Sequence, residues 1–366
     1  MNKKPYSQLT AMLAISKASF RSIMRSPSAV VFTLAFPLIF ILVFGFISGG
    51  GFIVKLGVNK NSSRNNPVYI VLKNINTIKM IEDAGDDVLM SELQKGRIDG
   101  IVTLSTDTTQ HSKIIIDLKT TSASADKGRV LKLILNNVIS EMNAKTTGIK
   151  SSVAEIRQQD VPGRKYKTID FILPGQLGFS LLSSGVFGTA FVFFNLRQTL
   201  VIKRFFATPV KRPYIVVGEA LARMVFALLG ALFIISIGYF AFGFTLINGM
   251  ATALNMLLLS ALGLVVFMGF GFVVSGIAKS ESTIPPIANI ITLPQFLLSG
   301  TFFSIEVFPT WLQPICKVLP LTYLNDAMRK VAFEGTGIFD ITHQLLIITL
   351  WGLVVYFAAF KTFRWE

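Results

Sequence analysis

Charge is scarce in this chain. Only 15% of its 366 residues are Asp, Glu, Lys or Arg, against about a quarter in an ordinary soluble domain. There is one cysteine, Cys316, so no intramolecular disulfide can form. The only histidines, His111 and His343, lie far apart, so with one thiol they make no metal set. The chain has no G-x-x-x-x-G-K-[ST] phosphate loop, no H-E-x-x-H and no G-x-S-x-G. Usual ATP hydrolysis, zinc proteolysis and serine hydrolysis by this chain are therefore excluded, and no cofactor is expected in it. The acidic residues between the first and second apolar runs, Asp83, Asp86, Asp87, Asp99 and Asp107, with His111, show no metal spacing and no acid–base pair.

What is abundant is apolar. Hydrophobic residues make up 52% of the chain, 32 of them Phe, and mean hydropathy is +0.60. They are bunched. No charge falls within 26–54, 171–196, 224–278, 282–305 or 341–360. A bilayer core needs roughly 20 apolar residues per helix, and the run 224–278 is about twice that. It contains a turn, Gly243-Phe-Thr-Leu-Ile-Asn-Gly249, so it reads as a helical hairpin. The count is six spans, near 28–49, 171–195, 221–243, 252–277, 283–303 and 341–361. The runs are solid, without the period-2 alternation of a membrane barrel. The first begins late and lacks a small-x-small cleavage site, so it reads as a signal anchor.

The net charge of +15 would suit a nucleic acid, but its distribution argues for a membrane. Lys3, Lys4, Lys17, Arg21 and Arg25 precede the first span. Arg197, Lys203, Arg204, Lys211 and Arg212 lie between spans two and three, Lys279 between four and five, and Lys361 and Arg364 after six. These four places share one side, and the loop at 243–251 opposite has no charge. The positive-inside rule then puts both termini in the cytoplasm and residues 50–168 outside. Proton- or sodium-coupled carriers need ionisable groups at mid-membrane. Here Asp170, Glu219 and Arg223 all lie near span ends, and Glu219 and Arg223, four apart, can pair on one helical face. Energy for any transport must come from another chain.

The segments have distinct characters. Residues 1–27 contain a basic amphipathic helix, with Leu9, Met12, Leu13, Phe20, Ile23 and Met24 on one face, suited to the headgroup plane. Residues 50–168 read as a small α/β domain: strands at 52–58, 100–104 and 114–118, helices at 88–95 and 126–145, and a polar, basic stretch at 146–168. The fifth span carries Pro294 in its middle, where a missing backbone donor kinks or breaks a helix and makes a hinge. Residues 305–335 form amphipathic pieces rich in Pro and aromatics.

Three stretches carry a family resemblance. One is the basic run from Arg197 through Lys203-Arg-Phe-Phe206 and Thr208-Pro-Val210 to Lys211 and Arg212. The second is Gly300-Thr-Phe-Phe303 with Phe308-Pro-Thr-Trp-Leu312. The third is Leu319-Pro-Leu-Thr-Tyr-Leu324 with Arg329. With the layout of one span, a large outer domain and five further spans, the whole chain resembles the type-2 ATP-binding-cassette transporter permeases of the bacterial exporter branch. The resemblance implies a multi-pass protein of the bacterial inner membrane. It implies a second permease half, identical or related, and cytoplasmic ATPase subunits that bind ATP and Mg. It assigns coupling to the loop 197–213, with Arg197, Lys203, Arg204, Phe205, Phe206, Pro209, Lys211 and Arg212. Phe205 and Phe206 are anchors of the kind that dominate interfaces. It places 305–335 as helices re-entering the outer leaflet, where Phe302, Phe303, Pro309, Trp311, Pro320, Tyr323 and Arg329 close the pathway from above. Many members carry Glu-Arg-Glu-x-Gly-Thr before the coupling element. Asn195-Leu-Arg-Gln-Thr199 stands here, so the acidic partners are missing and a dedicated ATPase is expected.

The leading expectation is thus an exporter permease for amphipathic or lipid-like cargo (drug, lipid, peptide or glycan-lipid), in contact with membrane lipid and open to a periplasmic adaptor, with no nucleic-acid partner. The competing readings are a receptor or adhesion protein displaying the outer domain, which would need no ATPase, and a membrane enzyme with its site in that domain.

Overall fold

The structure is a computed structural model that describes residues 7–46, 54–64, 66–75, 77–82, 84–107, 113–121, 124–145, 154–163, 167–199 and 209–362. The chain divides into two compact units, Met1–Gly50 with Thr168–Glu366, and Gly51–Lys167.

The smaller unit is a five-stranded mixed sheet. Its strands are β1 Val54–Val58, β2 Ile78–Ile81, β3 Gly100–Asp107, β4 Lys113–Thr121 and β5 Ala154–Val161, in the order β2-β1-β3-β4-β5. β1 runs parallel to both β2 and β3, in registers that set Val54 opposite Ile78 and Leu56 opposite Gly100. β3 and β4 are antiparallel with Gly100 opposite Thr120, and β5 runs parallel to β4 with Ala154 opposite Ile114. In the element order of this chain, the unit's helices are α3 Pro67–Asn74, α4 Asp86–Gln94 and α5 Ala125–Lys145. Successive side chains of a strand point to opposite faces, and here both faces are covered. Val102 and Leu104 of β3 pack with Val68 and Leu72 of α3 and Leu131 and Leu135 of α5. Ile101, the residue before Val102, packs with Leu89 and Leu93 of α4 on the other side.

Three of these elements differ from the sequence expectation. α3 is short but properly started: Pro67 stands in its first turn and the Asn66 side chain accepts from Val68 N at 2.9 Å. β2 has four residues. β5 falls in the stretch read as polar linker, because as an edge strand it buries only Ala154 and Val161 and exposes most of what lies between.

The larger unit is helical. α1 Gln8–Met24 is followed by α2 Pro27–Phe46. After the smaller unit comes α6 Thr168–Ser183, which passes through a π-helical turn, Ser184–Gly188, into α7 Thr189–Gln198. α8 Arg212–Phe242 and α9 Met250–Ile277 form the hairpin expected from the sequence. Its turn is bounded by Gly243 (φ +64°) and Gly249 (φ +54°), a left-handed backbone that glycine adopts without steric cost. α10 Ile284–Leu298 follows, then the short α11 Gln313–Cys316, α12 Pro320–Arg329 with a π-helical turn Lys330–Glu334, and α13 Thr342–Thr362.

Among the described residues, four helical stretches are long and apolar enough to cross a membrane: Thr168–Gln198, Arg212–Phe242, Met250–Ile277 and Ile338–Thr362. The six-span expectation exceeds this by two. Within α2 the qualifying apolar stretch is only Leu34–Val43. α10 has 15 residues, about 22 Å at 1.5 Å per residue, because the helix ends at Ser299 and the chain turns at Gly300 (φ +69°). Pro294 does not break α10, which runs on to Leu298. Of the apolar window in α9, 61% is buried within the unit, but in the last helix only 17%. α9 is therefore the central post. α13 turns Leu346, Leu350, Leu353 and Phe357 outward, as a lipid-facing helix does.

Candidate functional site

The two ends of the segment 197–213, expected from its sequence to couple to an ATPase, meet defined helices. α7 runs to Gln198 and α8 begins at Arg212 with Pro213 in its first turn, where a missing N–H costs nothing. Lys203, Arg204, Phe205 and Phe206 lie outside the described residues. Pro209, Lys211 and Arg212 are exposed. Arg197 takes a different position. Its Nη2 donates to Ser275 O at 3.1 Å and Ala278 O at 3.0 Å, and its guanidinium lies 5.3 Å from the centre of the Phe194 ring. It thus caps the last carbonyls of α9, where a cation is also favoured by the helix dipole.

The segment after the loop is held by α1. Gln8 Nε2 donates to Pro209 O at 2.7 Å, and Gln8 Oε1 accepts from Lys211 N at 3.0 Å. One amide side chain thereby satisfies an acceptor and a donor of the strand that enters α8. Further along, α1 and α8 come into backbone contact. A Cβ at Gly218 would sit 2.9 Å from Met12 O, so only glycine permits this approach. Ser19 Oγ then donates to Glu219 Oε1.

Glu219 begins a buried polar group. Arg223, one turn on, donates from Nη1 to Glu219 Oε2 at 3.1 Å and to Glu219 O at 2.9 Å, and from Nε to Gly188 O at 3.1 Å. Glu219 is 6% and Arg223 5% exposed. The pairing of Glu219 with Arg223 was readable from their spacing. The ties to Ser19 and to the carbonyl of Gly188 in the π-helical turn were not, and they link α1, α8 and the α6–α7 helix through one cluster.

At the other end of the unit, α6 is packed tightly under the turn that follows α10. A Cβ on Gly175 would overlap the backbone of Thr301, and one on Gly178 would overlap Asn325 Oδ1. Asn325 Nδ2 donates to Ser299 O at 3.1 Å. Arg329 Nε and Nη2 both reach Phe171 O, at 3.2 and 2.9 Å, and Nη2 also donates to Gly300 O. Its guanidinium stacks 3.7 Å from the centre of the Phe171 ring. Phe302 packs into an aromatic group, 4.8 Å from Phe296 and 5.3 Å from Phe40 by ring centres, and Phe296 is 4.0 Å from Phe179. Pro320 is buried at the start of α12, and Tyr323 OH donates to Lys317 O at 2.6 Å. Phe303, Pro309 and Trp311 are exposed, Trp311 to 71%. Of the expected outer-gate residues, Phe302, Pro320, Tyr323 and Arg329 are thus built into the packing and three project outward.

In the smaller unit, Asp99 is buried. Its Oδ2 accepts from Lys55 N at 2.8 Å and lies 3.6 Å from Lys127 Nζ. Burial nonetheless pushes its carboxyl above the usual range, outweighing Lys127 and the hydrogen bond. Among the described residues no group of three or more His, Cys, Asp and Glu could hold a metal.

Comparison with known proteins gives the family of this helical chain. The model of the ABC-2 family transporter protein matches residues 27–361. The chain belongs to that family. It is 21% identical over 252 residues to the "Probable multidrug ABC transporter permease YbhR" of Escherichia coli, 69% of this chain and 66% of the relative. It is 20% identical over 395 aligned residues to the "Linearmycin resistance permease protein LnrN" of Bacillus subtilis, covering 96% of this chain and 99% of that one. It is 24% identical over 195 residues to "ABC transporter G family member 20" of Dictyostelium discoideum, 53% of this chain but only 26% of the relative.

Proposed function

We propose that this chain is the membrane-spanning half of an ATP-driven exporter of amphipathic or lipid-like molecules, working as a dimer with an identical or related permease. Both termini are cytoplasmic, α2 and α10 complete a set of six spans, and the α/β unit lies on the outer side. Pro294 serves as a hinge in α10, and the turn and helices at 305–335 close the pathway from above. ATP and Mg are bound by the partner ATPase, which docks on the segment 197–213 through Lys203, Arg204, Phe205, Phe206 and Arg212.

The observation that carries this reading is the Gln8 clamp on Pro209 and Lys211. It joins the coupling segment to α1, and the Ser19–Glu219–Arg223–Gly188 chain joins α1 to the helices that would line the pathway. A push on the loop therefore moves α1 and α8 together, not a free loop. The nature of the exposed helix surfaces supports lipid contact, and the names of YbhR and LnrN, a multidrug and a linearmycin-resistance permease, suit amphipathic cargo.

The test is affinity purification of the tagged chain from native membranes in mild detergent, beside a variant carrying Arg204→Ala, Phe205→Ala, Phe206→Ala and Arg212→Ala. An ATP-binding-cassette subunit is expected with the parent and not with the variant. A folded parent that brings down no such subunit would refute the proposal.

A further inference from the structure

The larger unit contains a cavity of about 500 Å³ between the end of α1, α2, the second half of α6 with its π-helical turn, and α8. That size suits one drug-sized ligand, since such sites span about 300–1,000 Å³. Its wall has two characters. Phe36, Phe179, Phe187 and Phe226 supply aromatic surface, while Ser180, Ser183 and Ser184 supply hydroxyls. Residues three and four apart share a helical face, so Ser180, Ser183, Ser184 and Phe187 form one stripe along α6 and the π-helical turn. No carboxylate is among the lining residues.

Arg223 closes the polar side. Two of its nitrogens are committed, Nε to Gly188 O and Nη1 to Glu219. Its Nη2 donates to no described residue, although the side chain is about nineteen-twentieths buried. Arg223 lines the cavity, and a guanidinium presents its donors in a fork matched to phosphate and carboxylate oxygens. The π-helical turn is a second pointer. Such turns are rare and recur at functional sites, and this one supplies both the carbonyl that orients Arg223 and part of the serine stripe.

We propose that this cavity binds an amphiphile with an anionic headgroup, its phosphate or carboxylate on Arg223 Nη2 and the serine hydroxyls and its chain against the phenylalanines. Glu219 is then a positioning residue: it holds the guanidinium so that Nη2 faces the cavity. The binding claim stands on the cavity alone, and only the claim that the occupant is moved rests on the exporter reading. The same chemistry could come from a bilayer phospholipid or from exported cargo.

The experiment is native mass spectrometry of the full chain, without ATPase, titrated with phosphatidylglycerol, phosphatidylcholine or dodecyl phosphate. The parent is expected to retain an anionic species about tenfold better than phosphatidylcholine. Two variants separate charge from space. Glu219→Gln with Arg223→Gln removes both charges without stranding either, and should erase the preference. Ser183→Leu narrows the cavity without touching the pair, and should lower retention of every probe. Retention of phosphatidylglycerol but not dodecyl phosphate assigns the site to bilayer lipid. Retention of dodecyl phosphate, with its release on ATP addition to the ATPase-bound complex, assigns it to cargo. Equal retention of anionic and zwitterionic probes, or a charge preference that survives the double variant, overturns the proposal. Because no ATPase is needed for the first arm, a failed exporter reading would leave its result intact.

Discussion

Replacing Arg223 by Met should destabilise the larger unit far more than replacing both members of its pair. Glu219 and Arg223 are 6% and 5% exposed and 3.1 Å apart. Removing one partner of a buried ion pair leaves an uncompensated charge and costs about 3–5 kcal/mol, whereas neutralising both is often close to neutral. In Arg223→Met, Glu219 keeps only the Ser19 hydroxyl, and Gly188 O loses its donor. For a unit of this size each kcal/mol moves the midpoint by about 2–4 °C, so the single change should lower it by about 6–20 °C. The double change Glu219→Gln, Arg223→Gln keeps side chains able to bond Ser19 and Gly188 O, and should stay within a few degrees of the parent. The assay is the temperature at which half the detergent-solubilised protein leaves the monodisperse peak on size-exclusion chromatography. A single variant as stable as the parent, or a double variant as weak as the single one, would refute the claim that the two charges stabilise the unit only as a pair.

Four further outcomes are expected. Gly175→Ala drives a methyl into the Thr301 backbone and should cost about 1–3 kcal/mol. Gln8→Ala removes two hydrogen bonds to Pro209 and Lys211, so thermal stability should change little while ATP hydrolysis by the co-purified ATPase loses its response to the permease. Arg329→Lys loses the forked bonds to Phe171 and Gly300 and the stacking on Phe171, and should cost about 1–3 kcal/mol of stability, read as a lowered midpoint in the same thermal assay. Asp99 has a carboxyl raised above its ordinary 3.8 in the folded unit. The folded state therefore binds the proton more tightly, and the stability this gives is present below 3.8 and lost as pH rises through the raised value. Hydrogen exchange of the β1 and β3 amides in the full chain should show that slope, and Asp99→Asn should flatten it.

The helices were legible where composition decides. Uncharged runs and the bounding glycines Gly243 and Gly249 gave the α8–α9 hairpin, since a bilayer-length run needs no tertiary information to be recognised. The run 282–305 gave a helix but not its end, because hydropathy does not register the turn at Gly300 that follows α10. β5 was missed because an edge strand with two buried residues carries almost no period-2 signal. The candidate site was less legible than the fold. Arg197 reads as one more charge of a basic loop, yet its position is set by the carbonyls that end α9. Gln8 and Ser19 carry no motif, and their roles exist only because Gly218 lets α1 approach α8. Nothing in Ser184–Gly188 announces a π-helical turn, so the third partner of Arg223 could come only from the structure.

The central claim is that this permease is driven by an ATPase through the segment 197–213. It is tested most directly by measuring ATP hydrolysis in nanodiscs by the ATPase alone, with the parent permease, and with the Arg204, Phe205, Phe206 and Arg212 alanine variant. The parent should change the hydrolysis rate several-fold, and the variant should return it to that of the isolated ATPase. Equal rates in all three preparations, with both permeases folded, would contradict the claim.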